Sequence, residues 1–197
     1  MSTVIRVATA QDAEAVARIY APAVTDRSTS FELTPPDAAE MGWRIQKVLE
    51  QYPWLVVESL GNVLGYVYAT AHRDRAAYRW SVDTAVYIRS DAHRRGIGRA
   101  LYTALMEILA LQGYRNAYAG TTLPNDSSVA LHEAMGFRKV GTYERVGYKF
   151  GKWHDVVWFE RELAERIVDP PEPVAFPMLA NRRDVKAALA RAERLLR

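Results

Sequence analysis

The stretch most able to do chemistry is His93-Arg94-Arg95-Gly96-Ile97-Gly98-Arg99. Glycines let successive backbone N–H groups converge on one point, a following helix adds its positive end, and flanking arginines pair directly with negative oxygens. The chemistry would be the gripping of a pyrophosphate-type anion. No Gly-Lys-Ser/Thr follows, and Leu101 stands where a third glycine would be, so neither a Walker A loop nor a dinucleotide fingerprint is present. Taken alone, the segment reads equally as a glycine-punctuated turn with solvated arginines. Other reactive side chains are ambiguous by themselves. Asp83 reads as a strand carboxylate paired with Arg79 or Arg75, His132 as a structural helical histidine, and Asn125 as a helix cap. His72 has no motif around it and is read as a surface histidine. For His154, structural and substrate-facing roles both stand.

These groups must be held by a mixed set of elements. Val4–Val7 reads as a strand, 10–20 as a helix with Ala13, Val16, Ala17 and Tyr20 at helical spacing, and 37–51 as a second helix after Pro35-Pro36. Trp54–Glu58 and 63–70 are strands joined at a Gly61-Asn62 hairpin signal. Along 82–89, Val82, Thr84, Val86 and Ile88 share one face and Asp83, Ala85 and Tyr87 the other, giving a one-sided core strand if no bulge intervenes. A helix begins near Gly98 and stops at Gly113. A strand spans 116–121, a short helix runs from the Pro124-Asn125-Asp126 cap to Met135, and strands at 138–146 and 153–161 flank a turn region from Gly147 to Gly151. The order implies an α+β or α/β domain with a mixed sheet. Its expected extent is 1–166, followed by a proline-rich linker, 167–183, and a basic amphipathic helix, 184–197.

With 197 residues, 49% hydrophobic and 25% charged, the chain can bury one sizeable core. It has no cysteine, which excludes disulfides, thiolate metal sites and a cysteine nucleophile. No metal site is expected. Acyl transfer would have to go directly to the acceptor or through another nucleophile. The formal charge is +3, but residues 181–197 hold six basic and two acidic side chains, which leaves 1–180 at −1. A near-neutral body argues against a nucleic-acid partner. The N-terminus lacks a signal-like apolar run and no stretch approaches a membrane span, so a cytoplasmic location and no membrane partner are expected.

The segment from Val82 to Leu101 resembles the signature of the GNAT acetyltransferase superfamily. Leu-Pro-Asn-Asp-Ser-Ser-Val-Ala-Leu-His-Glu-Ala-Met-Gly-Phe (123–137) and Val-Gly-Tyr-Lys-Phe-Gly-Lys-Trp-His-Asp-Val-Val (146–157) narrow the resemblance to the phosphinothricin acetyltransferase family, with relatives acting on methionine sulfone, sulfoximine or arsinothricin. It covers about residues 3–163 and leaves the tail outside.

The resemblance implies a GNAT-like fold, a mixed sheet flanked by helices that splays open after the 82–89 strand, and acetyl-coenzyme A as cofactor. Its pantetheine arm would pair near Val86, Tyr87 and Ile88, its pyrophosphate would sit on His93, Arg94, Arg95, Gly96, Ile97, Gly98 and Arg99, and Asn125 and Ser128 would touch the arm. His93 stands where the superfamily usually has Gln or Arg, a change that backbone binding tolerates. Asp83 lies where the family carries Glu and would act as base, through a water or after desolvation; His132 would be an acid for the departing thiolate or a group orienting the cofactor. A free amine attacks only when neutral. The acceptor would lie among Phe31, Arg79, Tyr87, Lys149 and Trp153, with Arg79 as a fork for a carboxylate, although Phe31 and Trp153 by themselves read more often as core aromatics than as substrate walls. The implied function is direct acetylation of a small amino-acid-like amine, with a resistance role and a homodimer. The alternatives are another amine, such as a peptide N-terminus, polyamine or aminoglycoside, or a non-catalytic acetyl-coenzyme A module. The tail is expected to be dispensable for chemistry, its apolar stripe docking on the body or on a second subunit.

Overall fold

A computed structural model describes residues 3–197. Its strands are β1 (Val4–Val7), β2 (Trp54–Ser59), β3 (Asn62–Ala71), β4 (Ser81–Ile88), β5 (Asn116–Thr122), β6 (Arg138–Lys149) and β7 (Lys152–Glu162). They form one seven-stranded sheet in the order β1-β2-β3-β4-β5-β7-β6. The helices are α1 (Ala13–Thr25), α2 (Ala38–Leu49), α3 (Ile97–Gln112), α4 (Asp126–Ala134) and α5 (Arg183–Glu193).

Neighbouring strands are antiparallel except β4 and β5, whose parallel pairing requires a crossover, and α3 provides it. Two hairpins turn on Leu60-Gly61 (φ 53° and 75°) and Phe150-Gly151 (φ 51° and 74°), the double positive φ that matches strand twist. The first turn therefore lies one residue earlier than the Gly61-Asn62 signal. Gly147 is not in a turn: β6 continues through it, and a Cβ there would stand 2.3 Å from the ring of Phe31, which lies across the strand.

β3 and β4 pair without a register shift from Gly65↔Ile88 to Ala71↔Val82, so the alternation read along 82–89 holds. Val82 and Leu101, Leu105 and Ile108 of α3 share the larger core, while Tyr20 of α1, Ile45 of α2, Trp54 and Tyr66 form a second core on the other face. The larger core extends past residue 166. Phe176, Leu179, Val185, Ala188 and Ala192 are all buried in it. The proline-rich segment is strapped down by Val174 N–H to Gln112 O (2.8 Å) and Phe176 N–H to Gln51 O (3.0 Å). Ile5 N–H donates to Glu193 of α5 at 2.8 Å. Of the two docking sites open to the tail's apolar stripe, the body is the one it occupies. Among the described residues no helix is long and apolar enough to cross a membrane.

Candidate active site

The sheet opens in its middle. β4 and β5 pair only at Ser81↔Asn116, Val82↔Ala117 and Asp83↔Tyr118, although β4 runs on to Ile88 and β5 to Thr122. The splay thus begins inside β4, directly after Asp83, rather than beyond the strand. Thr84 marks the fork by donating its hydroxyl to Tyr118 O at 3.0 Å. From Thr84 to Ile88 alternate peptide groups of β4 face no strand, an arrangement a chain needs only where something else pairs with them.

At the far end of that edge lies the glycine loop. Gly96 is the N-cap of α3 with φ 78°, and Arg94 also has positive φ at 61°. The backbone N–H groups of 94–99 donate to no acceptor among the described residues, while Ala100 N–H closes the first turn on Gly96 O at 2.9 Å. Unpaired donors at the start of a 16-residue helix form an anion nest. The His93 ring turns back to Ile88 O (3.2 Å) instead of facing the nest. The C-terminus backs the loop from the opposite side: Arg197 N–H donates to Arg95 O at 3.0 Å, and a Cβ on Gly96 would lie 2.2 Å from Leu195 O. An unpaired strand edge that includes Val86, Tyr87 and Ile88 thus leads to an anion nest at 94–99, a donor set whose chemistry suits an amide-bearing arm and a pyrophosphate.

Asp83 and His132 flank the fork from opposite faces. Asp83 shares its face with Ala85 and Tyr87. His132 is buried on the α3 side against Phe137 and Phe159. Its Nε2 is 3.0 Å from the Tyr102 hydroxyl, its Nδ1 lies 3.4 Å from Thr121 Oγ1, and the Ser128 backbone is a further partner of the ring. Burial lowers its pKa from 6.5 to about 4, so the ring is neutral at pH 7 and both nitrogens are engaged. Asn125 caps α4, accepting Ser128 N–H at 3.2 Å.

Asp83 pairs with neither Arg79 nor Arg75. Its Oδ1 is 2.6 Å from Nδ1 of His72, and Arg73 stands 4.0 Å from Oδ2. Burial raises the Asp83 carboxyl above the usual range, while His72 and Arg73 pull it back. His72 is therefore no surface histidine: its side chain is only 13% exposed and stacks on Tyr118 at 4.3 Å. A signal existed in the pattern. Tyr66, Tyr68 and Thr70 alternate along one face of β3, Thr70 pairs with Asp83, and two residues further on His72 becomes the diagonal neighbour of Asp83.

On the same face a cavity of ≈ 240 Å³ is lined by Tyr20, Met41, Arg44, Lys47, Tyr66, Tyr68 and Thr70. Tyr87 packs against two of these lining residues, edge-on to Tyr20 at 5.0 Å and stacked on Tyr66 at 5.3 Å. The loop before α2 is fixed by Arg44 to Glu32 (2.8 Å) and by Tyr20 to Ser30 (2.7 Å). Lys149 is buried and donates to the carbonyls of Ser30 and Glu32, both at 2.7 Å, so it pins this loop instead of offering a free cation. His154 is likewise structural, bonded to Lys149 O at 3.0 Å. Arg79 is turned away: it pairs with Glu172 of the proline-rich strap and lies over Trp80. Phe31 is partly exposed over Gly147, and Trp153 is exposed on the β6–β7 hairpin against Tyr148, away from the cavity lining. Arg73 is thus the cation beside Asp83. Among the described residues no cluster of His, Asp and Glu suits a metal ion.

A splayed mixed sheet with an anion nest at the start of the crossover helix defines an acyl-coenzyme A N-acyltransferase fold. The acetyltransferase (GNAT) domain model matches residues 5–158, and the chain belongs to that family. It is 39% identical over 170 residues to the phosphinothricin N-acetyltransferase of Streptomyces viridochromogenes, covering 86% of this chain and 92% of that one. It is 33% identical to the L-methionine sulfoximine/L-methionine sulfone acetyltransferase of Pseudomonas paraeruginosa, covering 83% and 96%. A GNAT superfamily phosphinothricin acetyltransferase from Sinorhizobium meliloti, solved in complex with AcCoA, superposes with a TM-score of 0.83 at 36% identity over 88% of this chain and 96% of that one.

Proposed function

We propose that the protein transfers an acetyl group from acetyl-coenzyme A to the primary amine of a small amino-acid-like acceptor of the phosphinothricin or methionine sulfone and sulfoximine type. The observation that carries this reading is the alignment of an unpaired β4 edge with the unpaired N–H groups of 94–99. When bound, the cofactor supplies the acyl group as an activated thioester. The chain's own residues do the rest. The nest takes the pyrophosphate, the β4 edge pairs with the arm, and the fork at Asp83 gives the amine access from the α1–α2 face. His132, Tyr102 and Thr84 hold the other side of the fork.

A cavity of ≈ 240 Å³ supports a small acceptor, and Arg73 beside Asp83 supports an anionic one, taking the place expected of Arg79. The test is thiol release and N-acetyl product with phosphinothricin, methionine sulfone, its carboxamide, spermidine and a peptide. Turnover confined to the carboxylate-bearing amino acids is expected. Preference for spermidine or the peptide would contradict the reading. We further infer that the protein works in the cytoplasm as a homodimer, where such an activity would confer resistance to its acceptor. Exposed Tyr143, Val146, Tyr148, Phe150 and Trp153 on the β6–β7 hairpin support a dimer face, and light scattering of the purified chain checks it.

A further inference from the structure

We propose that His72, not Asp83, takes the proton from the acceptor's ammonium group, and that Asp83 is the positioning carboxylate behind it. The inference rests on the acetyl-transfer reading and adds to it a base that lies outside every motif of the sequence. Asp83 is badly placed to be the base itself. Its side chain is one methylene shorter than the Glu the resemblance implies there, Oδ1 is occupied by His72 at 2.6 Å, and Oδ2 faces Arg73 at 4.0 Å. The missing reach is supplied by the imidazole.

An ionised carboxylate only accepts hydrogen bonds, so the Asp83 contact requires the proton on Nδ1, and in the neutral ring the lone pair then lies on Nε2. Nε2 makes no hydrogen bond among the described residues and is not one of their buried unpartnered atoms, so it faces solvent or a ligand. The ring is fixed on three sides. It stacks on Tyr118 (4.3 Å, 20° between planes), and Tyr78 and Trp158 meet it edge-on at 5.8 and 6.5 Å. Tyr118 is also the partner of Asp83 in the last rung before β4 and β5 separate. The imidazole is therefore held with Nε2 outward at the vertex of the splay, on the face that carries the acceptor cavity. The arrangement follows the logic of base and orienting carboxylate found in hydrolytic triads.

An N–H bond of the ammonium breaks, its electron pair stays on nitrogen for attack on the thioester carbonyl, and the proton forms a bond to Nε2. The resulting imidazolium faces the Asp83 carboxylate. The titratable and charged groups around the ring are Asp83 from β4, Tyr118 from β5, Tyr78 from the turn before β4, and Arg73 next in sequence. Beyond Tyr118 lie Glu160 with Arg138 and Arg166 paired to it.

The experiment compares wild type with His72→Gln, and with His72→Phe to keep the ring stack, in kcat/KM against pH with methionine sulfone. Acetyl-coenzyme A affinity is measured in parallel by calorimetry. Loss of a base costs about 10²–10⁴-fold, so both variants should fall at least about 10²-fold at pH 7. Cofactor affinity should stay within about twofold, and the rate should recover only at alkaline pH, where the amine is neutral in bulk water. Asp83→Asn should move the pH profile as well, and Asp83→Glu should restore part of it. Variants with wild-type rates and an unchanged profile would overturn the proposal. If both His72 variants unfold, nitrogen NMR of the wild-type imidazole decides: a proton on Nδ1 is expected, and one on Nε2 overturns it. A wild type that binds acetyl-coenzyme A yet acetylates none of the amines would instead defeat the acetyl-transfer reading, visibly and without any substitution, and His72 would fall with it.

Discussion

His132 and His72 show how one residue type serves opposite ends at one fork. His132 is enclosed by Tyr102, Phe137 and Phe159, and burial in that setting lowers its pKa from 6.5 to about 4. A histidine with a depressed folded-state pKa binds fewer protons folded than unfolded, so its contribution to stability is full above about pH 6.5 and is lost as pH falls toward 4. At about 1.4 kcal/mol per unit the loss is on the order of 3 kcal/mol. Urea denaturation at pH 7 and pH 4 should therefore show a larger acid loss for wild type than for His132→Gln, which has nothing to titrate there. Equal losses would mean the ring is more solvated than its contacts indicate. Residue type alone could not separate the two histidines. His132 came with a motif and proves to be fully engaged, whereas His72 lacked one and proves to sit at the vertex, because its partner lies across a strand pair and not along the chain.

Elements were more legible than residues wherever the pattern is local. The alternation along 82–89, the helix after the glycine loop and the Asn125 cap are each set by residues within a few positions of one another, and each appears in the fold within a residue or two. The turn at Leu60-Gly61 lies one residue early, and the one at Phe150-Gly151 occupies only the end of the 147–151 region, because a non-glycine accepts positive φ in a two-residue hairpin when register demands it. The tail was illegible for a different reason: its stripe of Val185, Ala188 and Ala192 announces burial but not against what. Its docking changes the expectation of a dispensable tail. Truncation after Glu165 would strip Phe176, Leu179 and the α5 stripe from the core. At about 1.5–3 kcal/mol for each large side chain, that is enough to threaten a fold whose total stability is about 5–15 kcal/mol. The finer test removes only 194–197, and with it the contacts of Leu195 and Arg197 to the nest loop. The shortened chain should keep its circular dichroism spectrum but bind acetyl-coenzyme A about three- to tenfold more weakly, roughly 1 kcal/mol, in calorimetry. Unchanged affinity would show that the C-terminus backs the loop without shaping it.

Across the whole molecule, the sheet divides labour between its faces. The α3 and α5 side is core, closed around Leu101, Leu105, Val185 and Ala188, and the chain after α5 backs the nest loop. The α1 and α2 side is a cavity with aromatic walls, and the fork after Asp83 is where the two sides communicate. From Asp83, the last paired residue, to Ile88 the strand spans roughly 17 Å at about 3.3 Å per residue, which separates the anion nest from the reacting end of the site. For the inferred activity, that line of unpaired peptide groups must be the cofactor track. Amide hydrogen exchange with and without saturating acetyl-coenzyme A reads it directly, because peptide groups that gain a hydrogen-bond partner slow their exchange. Protection concentrated at residues 84–88 and 94–99, with little change in β1, β2 or the β6–β7 hairpin, is the predicted result. Saturation of binding with those two segments exchanging as fast as in the free protein would contradict it.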